Sequence, residues 1–193
     1  MSSRSDKTGR VLPRLTSAGV IAAAVLAPAA FAAPASAATG TLVATCAESS
    51  SATYNNALDP NSTDTPEDID STGSGNALCV SADGATTQQG TVAYNVDIPD
   101  AVCSGSAADN GATETITMSD NTVVTVKFTP TTYTASNGKV TYTATGTVTS
   151  SGEYSGDTVT ENGVINSTGC GTASGTSSDT DLSVATISSP ATS

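Results

Sequence analysis

The densest run of acidic residues, residues 64–73 (DTPEDIDSTG), carries the side chains best suited to metal chemistry. Asp68, Asp70 and Gly73 follow the spacing that opens a calcium-binding loop of the D-x-D-x-D-G kind. A threonine takes the third ligand position, however, and Cys79 stands where the closing bidentate glutamate is required, which excludes an EF-hand. We therefore predict a solvated acidic loop and no cofactor, with a looser calcium site as the alternative. The candidate ligands are Asp64, Glu67, Asp68 and Asp70.

Side chains for acid-base or nucleophilic catalysis are scarce. The chain has no histidine, which removes the usual general base, the Ser-His-Asp and Cys-His systems and most zinc sites. Paired carboxylates, as in glycoside hydrolysis, are still available. Acidic residues are so abundant, however, that no pair stands out, and the chain has no tryptophan to grip a sugar ring. We therefore predict a non-enzymatic protein without catalytic residues, with a carboxylate-based extracellular hydrolase as the enzymatic alternative.

The N-terminus predicts export. Four basic residues precede the apolar run of residues 18–27, and Ala35-Ser36-Ala37 follows it as a small-residue cleavage site. This is the pattern of a secretory signal peptide, here residues 1–37 with cleavage near Ala37. The apolar run is too short, and too closely followed by prolines, to predict insertion into a membrane. We therefore expect a secreted, extracellular protein.

Four cysteines, all after the predicted signal peptide, predict two disulfides. They are Cys46, Cys79, Cys103 and Cys170. An even number of cysteines in an exported chain is typical of a disulfide framework, and oxidised cysteines cannot act as thiolate nucleophiles. Four cysteines allow three connectivities, and the residues alone leave all three open.

The charge of the chain narrows the range of partners. After residue 37 there are two basic residues, Lys127 and Lys139, against 17 acidic ones, which gives a net charge of −15. A polyanion of this kind is repelled by nucleic acid phosphates and by anionic lipid, so we predict neither as a partner. A cell-envelope polymer, a small molecule or an extracellular protein are the partners left open.

Alternating apolar and polar residues indicate that β-strands must position these groups. Val92, Tyr94, Val96 and Ile98 alternate with polar residues, and Asn137-Gly138 between two such runs is a strong hairpin signal. About eight or nine short strands separated by turns predict an all-β fold, either an Ig-like antiparallel β-sandwich or a small β-barrel, stapled by disulfides. We expect one secreted domain over residues 38–188, which contains a long acidic loop at residues 48–76. Residues 189–193 are expected to form a frayed tail.

Residues 140–149 (VTYTATGTVT) place a threonine at every second position. Threonine is β-branched and suits an extended backbone, while its hydroxyl can meet water. We interpret the threonine row as the solvent face of a strand whose other face, with Val140, Tyr142 and Val148, points inward. A flat ice-binding or sugar-binding array of hydroxyls is the alternative, but ordinary sheets twist.

Residues 146–171 (GTVTSSGEYSGDTVTENGVINSTGCG) resemble a C-terminal pattern in small Thr/Gly-rich secreted proteins of actinobacteria. In those proteins a G-T-V-T-S-G strand end is followed by E-[FY]-x-G-D, another strand and a late cysteine. The resemblance covers about half of the chain and implies a fold and a compartment, without implying a reaction. It also implies that the cysteines pair in order, which here means Cys46–Cys79 and Cys103–Cys170. The long acidic segment at 48–76 is a departure from the group.

The preferred function is a secreted, non-catalytic β domain that binds an extracellular ligand or has a structural role at the cell surface. The sequence does not identify the ligand-binding residues, but a concave site lined by Tyr94, Tyr142 or Tyr154 would indicate a ligand. A secreted protease inhibitor is a further alternative. Its inhibitory loop would be residues 104–111, next to Cys103.

Overall fold

A computed structural model of the chain describes residues 40–58, 66–136, 138–167, 169–170 and 175–190. The predicted signal peptide, its cleavage site near Ala37 and residues 191–193 of the predicted tail lie outside the described residues. The described part forms ten strands and no helix, so it contains no helix that is long and apolar enough to cross a membrane. The strands are β1 (Thr41–Leu58), β2 (Glu67–Ser81), β3 (Thr87–Ala101), β4 (Gly105–Ala108), β5 (Thr113–Met118), β6 (Val123–Phe128), β7 (Thr132–Ser136), β8 (Lys139–Val148), β9 (Thr158–Asn166) and β10 (Thr176–Ser189).

All paired strands are antiparallel and form one sheet in the order β4-β7-β8-β6-β5-β3-β2-β1-β10-β9. The sheet closes on itself because β8 also pairs with β9, along residues 139–147 of β8. On its other edge β8 pairs first with β7 and then with β6. The prediction of an all-β, antiparallel fold is confirmed. Closure of the sheet makes it a small barrel rather than a sandwich, because the two sheets of a sandwich keep open edges.

The prediction of a long acidic loop at residues 48–76 is wrong. β1 and β2 pair with each other and occupy most of this segment, while residues 59–65 between them lie outside the described part. The reason is that the inward positions hold small or polar residues, such as Glu48, Ala52 and Ser71, all of them buried. A strand without large apolar residues on one face lacks the alternation on which the prediction depends.

Apolar side chains form two clusters inside the barrel, with polar residues between them along β1. The larger cluster includes Ile116, Val124 and Ile187, each almost fully buried. The smaller cluster includes Leu58 and Ile69. Each large aliphatic side chain buried in this way contributes about 1.5–3 kcal/mol to stability. The polar residues between the two clusters do not contribute this hydrophobic energy, so their burial needs another explanation.

The four cysteines form two disulfides, Cys46–Cys79 and Cys103–Cys170. Cys46 and Cys79 lie directly opposite each other on the paired strands β1 and β2. Cys103 follows β3 and Cys170 follows β9, two strands that are not neighbours in the sheet. The disulfide staples are therefore present, with the pairing that the resemblance implies.

The outward direction of the threonine row is confirmed. Thr141, Thr143 and Thr145 on β8 are exposed, whereas Ala144 and Val148 on the same strand are buried. The hydroxyls therefore cover the outer surface of the barrel, and the residues that alternate with them point into it.

Candidate binding site inside the barrel

Among the described residues, the structure separates one predicted calcium ligand, Glu67, from the other two, Asp68 and Asp70. Asp64 lies outside the described residues. Asp68 and Asp70 are exposed on β2 with the buried Ile69 between them, and Glu67 is partly buried at the start of the strand. Neighbouring side chains of a strand point to opposite faces, so Glu67 points away from the two aspartates. A calcium site that includes Asp64 stays a prediction.

The barrel contains a cavity of about 100 Å³. Since one buried water needs about 10–15 Å³, the cavity has room for several waters or a small ligand. Four tyrosines line it, namely Tyr54, Tyr94, Tyr133 and Tyr142. Two of these, Tyr94 and Tyr142, are among the three tyrosines whose position around a concave site would indicate a ligand. Tyr154, the third member of that set, does not line the cavity.

Six carboxyl side chains that sequence reasoning missed line or adjoin this cavity, and each is more than nine-tenths buried. The sequence carried a signal for one of them, Glu114. In residues 113–118 (TETITM), Glu114 shares a strand face with the buried Ile116 and Met118. An acidic residue on an apolar strand face predicts a buried carboxyl group. The six are Glu48, Asp109, Glu114, Glu161, Asp179 and Asp181.

Two glycines provide the space for two of the tyrosine rings. Tyr94 pairs with Gly73 of β2, and Tyr142 pairs with Gly163 of β9. A Cβ atom built on Gly73 would lie 2.1 Å from the ring of Tyr94, and one built on Gly163 would lie 2.3 Å from the ring of Tyr142. Because Cβ atoms do not approach other atoms so closely, each ring can lie over its neighbouring strand only where that strand has a glycine.

We expect Gly163→Ala to destabilise the fold by about 2–4 kcal/mol, because the new methyl group displaces the Tyr142 ring and breaks the contacts of its hydroxyl. Tyr142→Phe keeps the ring in place and removes only the hydroxyl, so it should cost less, about 1–3 kcal/mol. Urea unfolding at a fixed pH measures both free energies. If Gly163→Ala were as stable as the wild type, the glycine would not be what positions the ring.

The Tyr142 hydroxyl joins two acidic residues from neighbouring strands. Its Oη atom lies 2.7 Å from Glu161 Oε1 on β9 and 2.7 Å from Asp181 Oδ2 on β10. A hydroxyl has one proton, so it donates to one of these oxygens and has to accept a hydrogen bond from the other. The second contact therefore needs a proton on the carboxyl group. In this arrangement at least one of Glu161 and Asp181 is protonated.

Two further tyrosines donate hydrogen bonds to cavity aspartates. The Tyr54 hydroxyl donates to Asp179 Oδ2, and the Tyr133 hydroxyl donates to Asp109 Oδ2 at 2.9 Å. Asp109 Oδ1 also accepts the backbone N–H groups of Gly111 and Thr131, so both of its oxygens are satisfied. Asp109 thus has enough donors to satisfy both of its oxygens without a ligand. Asp179 does not, because its Oδ1 atom is unpartnered.

Four carboxyl oxygens of this interior have no hydrogen-bond partner among the described residues. The two lysines of the described part, Lys127 and Lys139, are exposed and do not offset their charge. Burying an ionised carboxylate without a partner costs several kcal/mol. The interior therefore needs either bound protons or a bound cation. The four atoms are Glu48 Oε1, Glu114 Oε1, Asp179 Oδ1 and Asp181 Oδ1.

Burial raises the pKa values of these carboxyl groups. Desolvation, with added repulsion from Glu161 and Asp181, raises the pKa of Glu48 to about 8. Desolvation also raises the pKa of Asp181 to about 7, against the opposing effect of the hydrogen bond from Tyr142. The pKa of Glu114 is raised well above its ordinary range by desolvation and by the charges of Glu161 and Glu48. Near neutral pH a proton or another positive charge can therefore occupy the interior.

The fold and the site together define a closed antiparallel barrel with two disulfides and an acidic, tyrosine-lined cavity. Comparisons of the chain with protein-family models, with curated proteins and with solved structures found no match. Function therefore has to be inferred from the geometry and chemistry of the cavity.

Proposed function

We propose that the protein is a secreted binding domain that holds a small organic cation, a primary amine in the first place, inside its barrel. The proposal depends above all on Asp179 and Asp181, whose Oδ1 atoms are buried without a partner in side chains that line the cavity. The two residues alternate with an outward residue on β10, so their Cα atoms are about 7 Å apart on one face. An ammonium group has three donors and can bond to oxygens on two sides at once.

Tyrosines supply the rest of the proposed amine site. Tyr54 and Tyr142 bond to the Oδ2 atoms of Asp179 and Asp181, which leaves the Oδ1 atoms to accept hydrogen bonds from a ligand. The rings of Tyr133 and Tyr142 have centroids 5.3 Å apart and are tilted by 47°. Tyrosine faces attract cations, and such a contact in a desolvated site contributes about 2 kcal/mol.

The size of the cavity and the disulfides support a small extracellular ligand. A cavity of about 100 Å³ accepts a ligand of a few heavy atoms. Its apolar wall, which includes Val96, Ile98 and Val140, suits a short alkyl chain. The two disulfides are compatible with the oxidising environment outside the cell, where the ligand would be captured.

A carboxylate-based hydrolase is the second candidate function. Its supporting observation is that oxygens of Glu114 and Glu161, which both line the cavity, lie within 4.8 Å of each other. Retaining glycosidases place their two carboxyl groups about 5–5.5 Å apart. We favour binding because a sugar ring needs more room than this cavity has. A neutral sugar would also supply no positive charge to Asp179 and Asp181, which would then depend on bound protons.

The segment considered for protease inhibition supports that function poorly. Residues 105–108 form β4, which pairs with β7, and Asp109 is buried. An inhibitor has to present an exposed, extended loop to the cleft of a protease. Here the central residues of the segment are mostly exposed, but they are fixed as an edge strand against β7 and do not form a free loop.

Calorimetric titration of the metal-free protein with short primary alkylamines tests the proposal, with alcohols of the same length as uncharged controls. We expect saturable binding of the amine and none of the alcohol. Asp179→Asn and Asp181→Asn should each weaken amine binding roughly tenfold or more, because each removes a charge-assisted hydrogen bond that contributes about 1.5–3 kcal/mol.

Asp157→Asn is the matched control variant. Asp157 is also buried, and burial raises its pKa, but it does not line the cavity. It should bind the amine as the wild type does. Equal affinity for amine and alcohol, or unchanged amine binding in both Asp179→Asn and Asp181→Asn, would overturn the proposed function.

A further inference from the structure

Three glutamates meet inside the barrel although their strands are not neighbours in the sheet. Glu48 lies on β1, Glu114 on β5 and Glu161 on β9. One carboxylate oxygen from each lies within 4.8 Å of the other two, and each side chain is more than nine-tenths buried. We call these three residues the glutamate triad. Only closure of the sheet brings three such distant strands around one point.

The glutamate triad has free coordinating atoms. Glu48 Oε1 and Glu114 Oε1 have no hydrogen-bond partner among the described residues. The lysines of the described part are exposed on the outside of the barrel, so they do not neutralise the triad. Three ionised carboxylates at this separation repel one another unless protons or a metal cation neutralise them. The Oε1 atoms of Glu48 and Glu114, which no donor of the described residues reaches, are the atoms that a cation would bind in place of those protons.

We propose that the glutamate triad binds a divalent, oxygen-preferring metal ion, with calcium as the favoured ion. Calcium binds oxygen at about 2.3–2.6 Å, so two oxygens on one calcium ion are at most about 4.6–5.2 Å apart. The triad meets this limit. Its ligand atoms are all carboxylate oxygens, the type that calcium, magnesium and manganese prefer, whereas copper and zinc prefer sites with nitrogen or sulfur.

The cavity can supply the remaining ligands. Glu114 and Glu161 line it, so the triad adjoins a space of about 100 Å³ with room for several waters. Calcium takes 6–8 oxygen ligands in all, and bidentate carboxylates together with waters can provide about that number. The triad and the Asp179–Asp181 pair are different residues, although they adjoin each other because the Tyr142 hydroxyl bonds to both Glu161 and Asp181. The existence of the metal site does not depend on amine binding.

Terbium luminescence gives a direct test, because terbium replaces calcium and emits when energy reaches it from a nearby excited tyrosine. The Tyr142 hydroxyl is bonded to Glu161, Tyr94 pairs with Glu114, and the chain has no tryptophan to interfere. Full-length mature protein, treated with a chelator and then freed of it, is titrated with terbium in amine-free buffer near neutral pH. We expect tyrosine-sensitised emission that saturates with added terbium and is lost when excess calcium displaces the terbium. We also expect the melting temperature to rise with added calcium.

Glu48→Gln and Glu114→Gln should each weaken terbium binding by roughly tenfold or more while the barrel stays folded by circular dichroism. The exposed Glu153→Gln is the matched control and should bind terbium like the wild type.

Absence of sensitised emission and of a calcium-dependent melting shift in the wild type would overturn the proposal. So would emission that survives both triad substitutions but is lost in Asp68→Asn, which would place the ion at the acidic stretch of β2. Because this titration uses the metal alone and the amine titration uses metal-free protein, either site can fail without the other.

Discussion

The metal-free, ligand-free protein is expected to become less stable as the pH rises from about 5 to about 8.5, by on the order of 5 kcal/mol. Burial raises the pKa of Glu48 to about 8 and that of Asp181 to about 7 in the folded state. Below the ordinary carboxyl pKa, both the folded and the unfolded chain hold these protons. Between the ordinary and the raised pKa values only the folded chain holds them, so each rise in pH favours the unfolded chain. The loss is complete once the pH exceeds the raised values.

Urea unfolding at a series of pH values measures this dependence. Many proteins are most stable between about pH 5 and pH 8 because their paired carboxylates are ionised in the folded state, so a steady fall across this range is a distinctive result. Glu48→Gln and Asp181→Asn should each flatten the slope and raise stability at the alkaline end, since a neutral amide is cheaper to bury than a carboxylate. Glu153→Gln should leave the slope unchanged. Stability that rose with pH over this range would mean that the interior carboxylates are already compensated within the protein.

Loss of the Cys103–Cys170 disulfide should reduce the free energy of unfolding by about 4 kcal/mol. The bridge closes a loop with a sequence separation of 67 residues and joins segments that follow β3 and β9, which share no hydrogen-bonded ladder. Without it, the unfolded chain gains the freedom that the cross-link removes. Cys103 and Cys170 also pack with the smaller apolar cluster, and Cys170 lines the cavity. That end of the barrel should therefore loosen first.

The double variant Cys103→Ala/Cys170→Ala, compared with the oxidised wild type by urea unfolding near pH 5, measures this contribution. Hydrogen exchange should show faster exchange in β4, β7 and the end of β9 than in β5 and β6. The wild type unfolded under reducing conditions is a control, because it should lose at least as much stability as the double variant. A loss below about 1 kcal/mol would show that hydrogen bonding in the barrel wall holds this end together without the bridge.

Hairpins with an apolar face could be predicted from the sequence. The turn at Ser119-Asp120-Asn121 joins β5 to β6, and Asn121 has a φ of 69°, a conformation that asparagine tolerates. The outward threonines of β8 also followed directly from their spacing. In contrast, β1 and β2 extend far into a segment that predicts a loop, because their inward residues pack against a polar interior. A strand is predicted from the alternation of apolar and polar residues, and this alternation is missing in that segment of β1 and β2.

The candidate site depended on information that local sequence does not contain. Glu48, Glu114 and Glu161 are separated widely along the chain, and only the pairing of β8 with β9 makes their strands surround one interior. The acidic stretch near Asp68 stood out because its acids are adjacent in sequence, but adjacent residues of a strand point to opposite faces. Single acidic residues on otherwise apolar strand faces, such as Glu114, carried the better signal.

Fluorine NMR of protein labelled with fluorotyrosine tests most directly whether the barrel interior is a cation-binding cavity. The chain has five tyrosines, of which Tyr54, Tyr94, Tyr133 and Tyr142 line the cavity and Tyr154 does not. Titration of metal-free protein with the best-binding alkylamine should shift the four cavity signals along one saturation curve and leave the Tyr154 signal in place. Unchanged signals from all four cavity tyrosines at saturating amine, or a shift confined to Tyr154, would contradict the account.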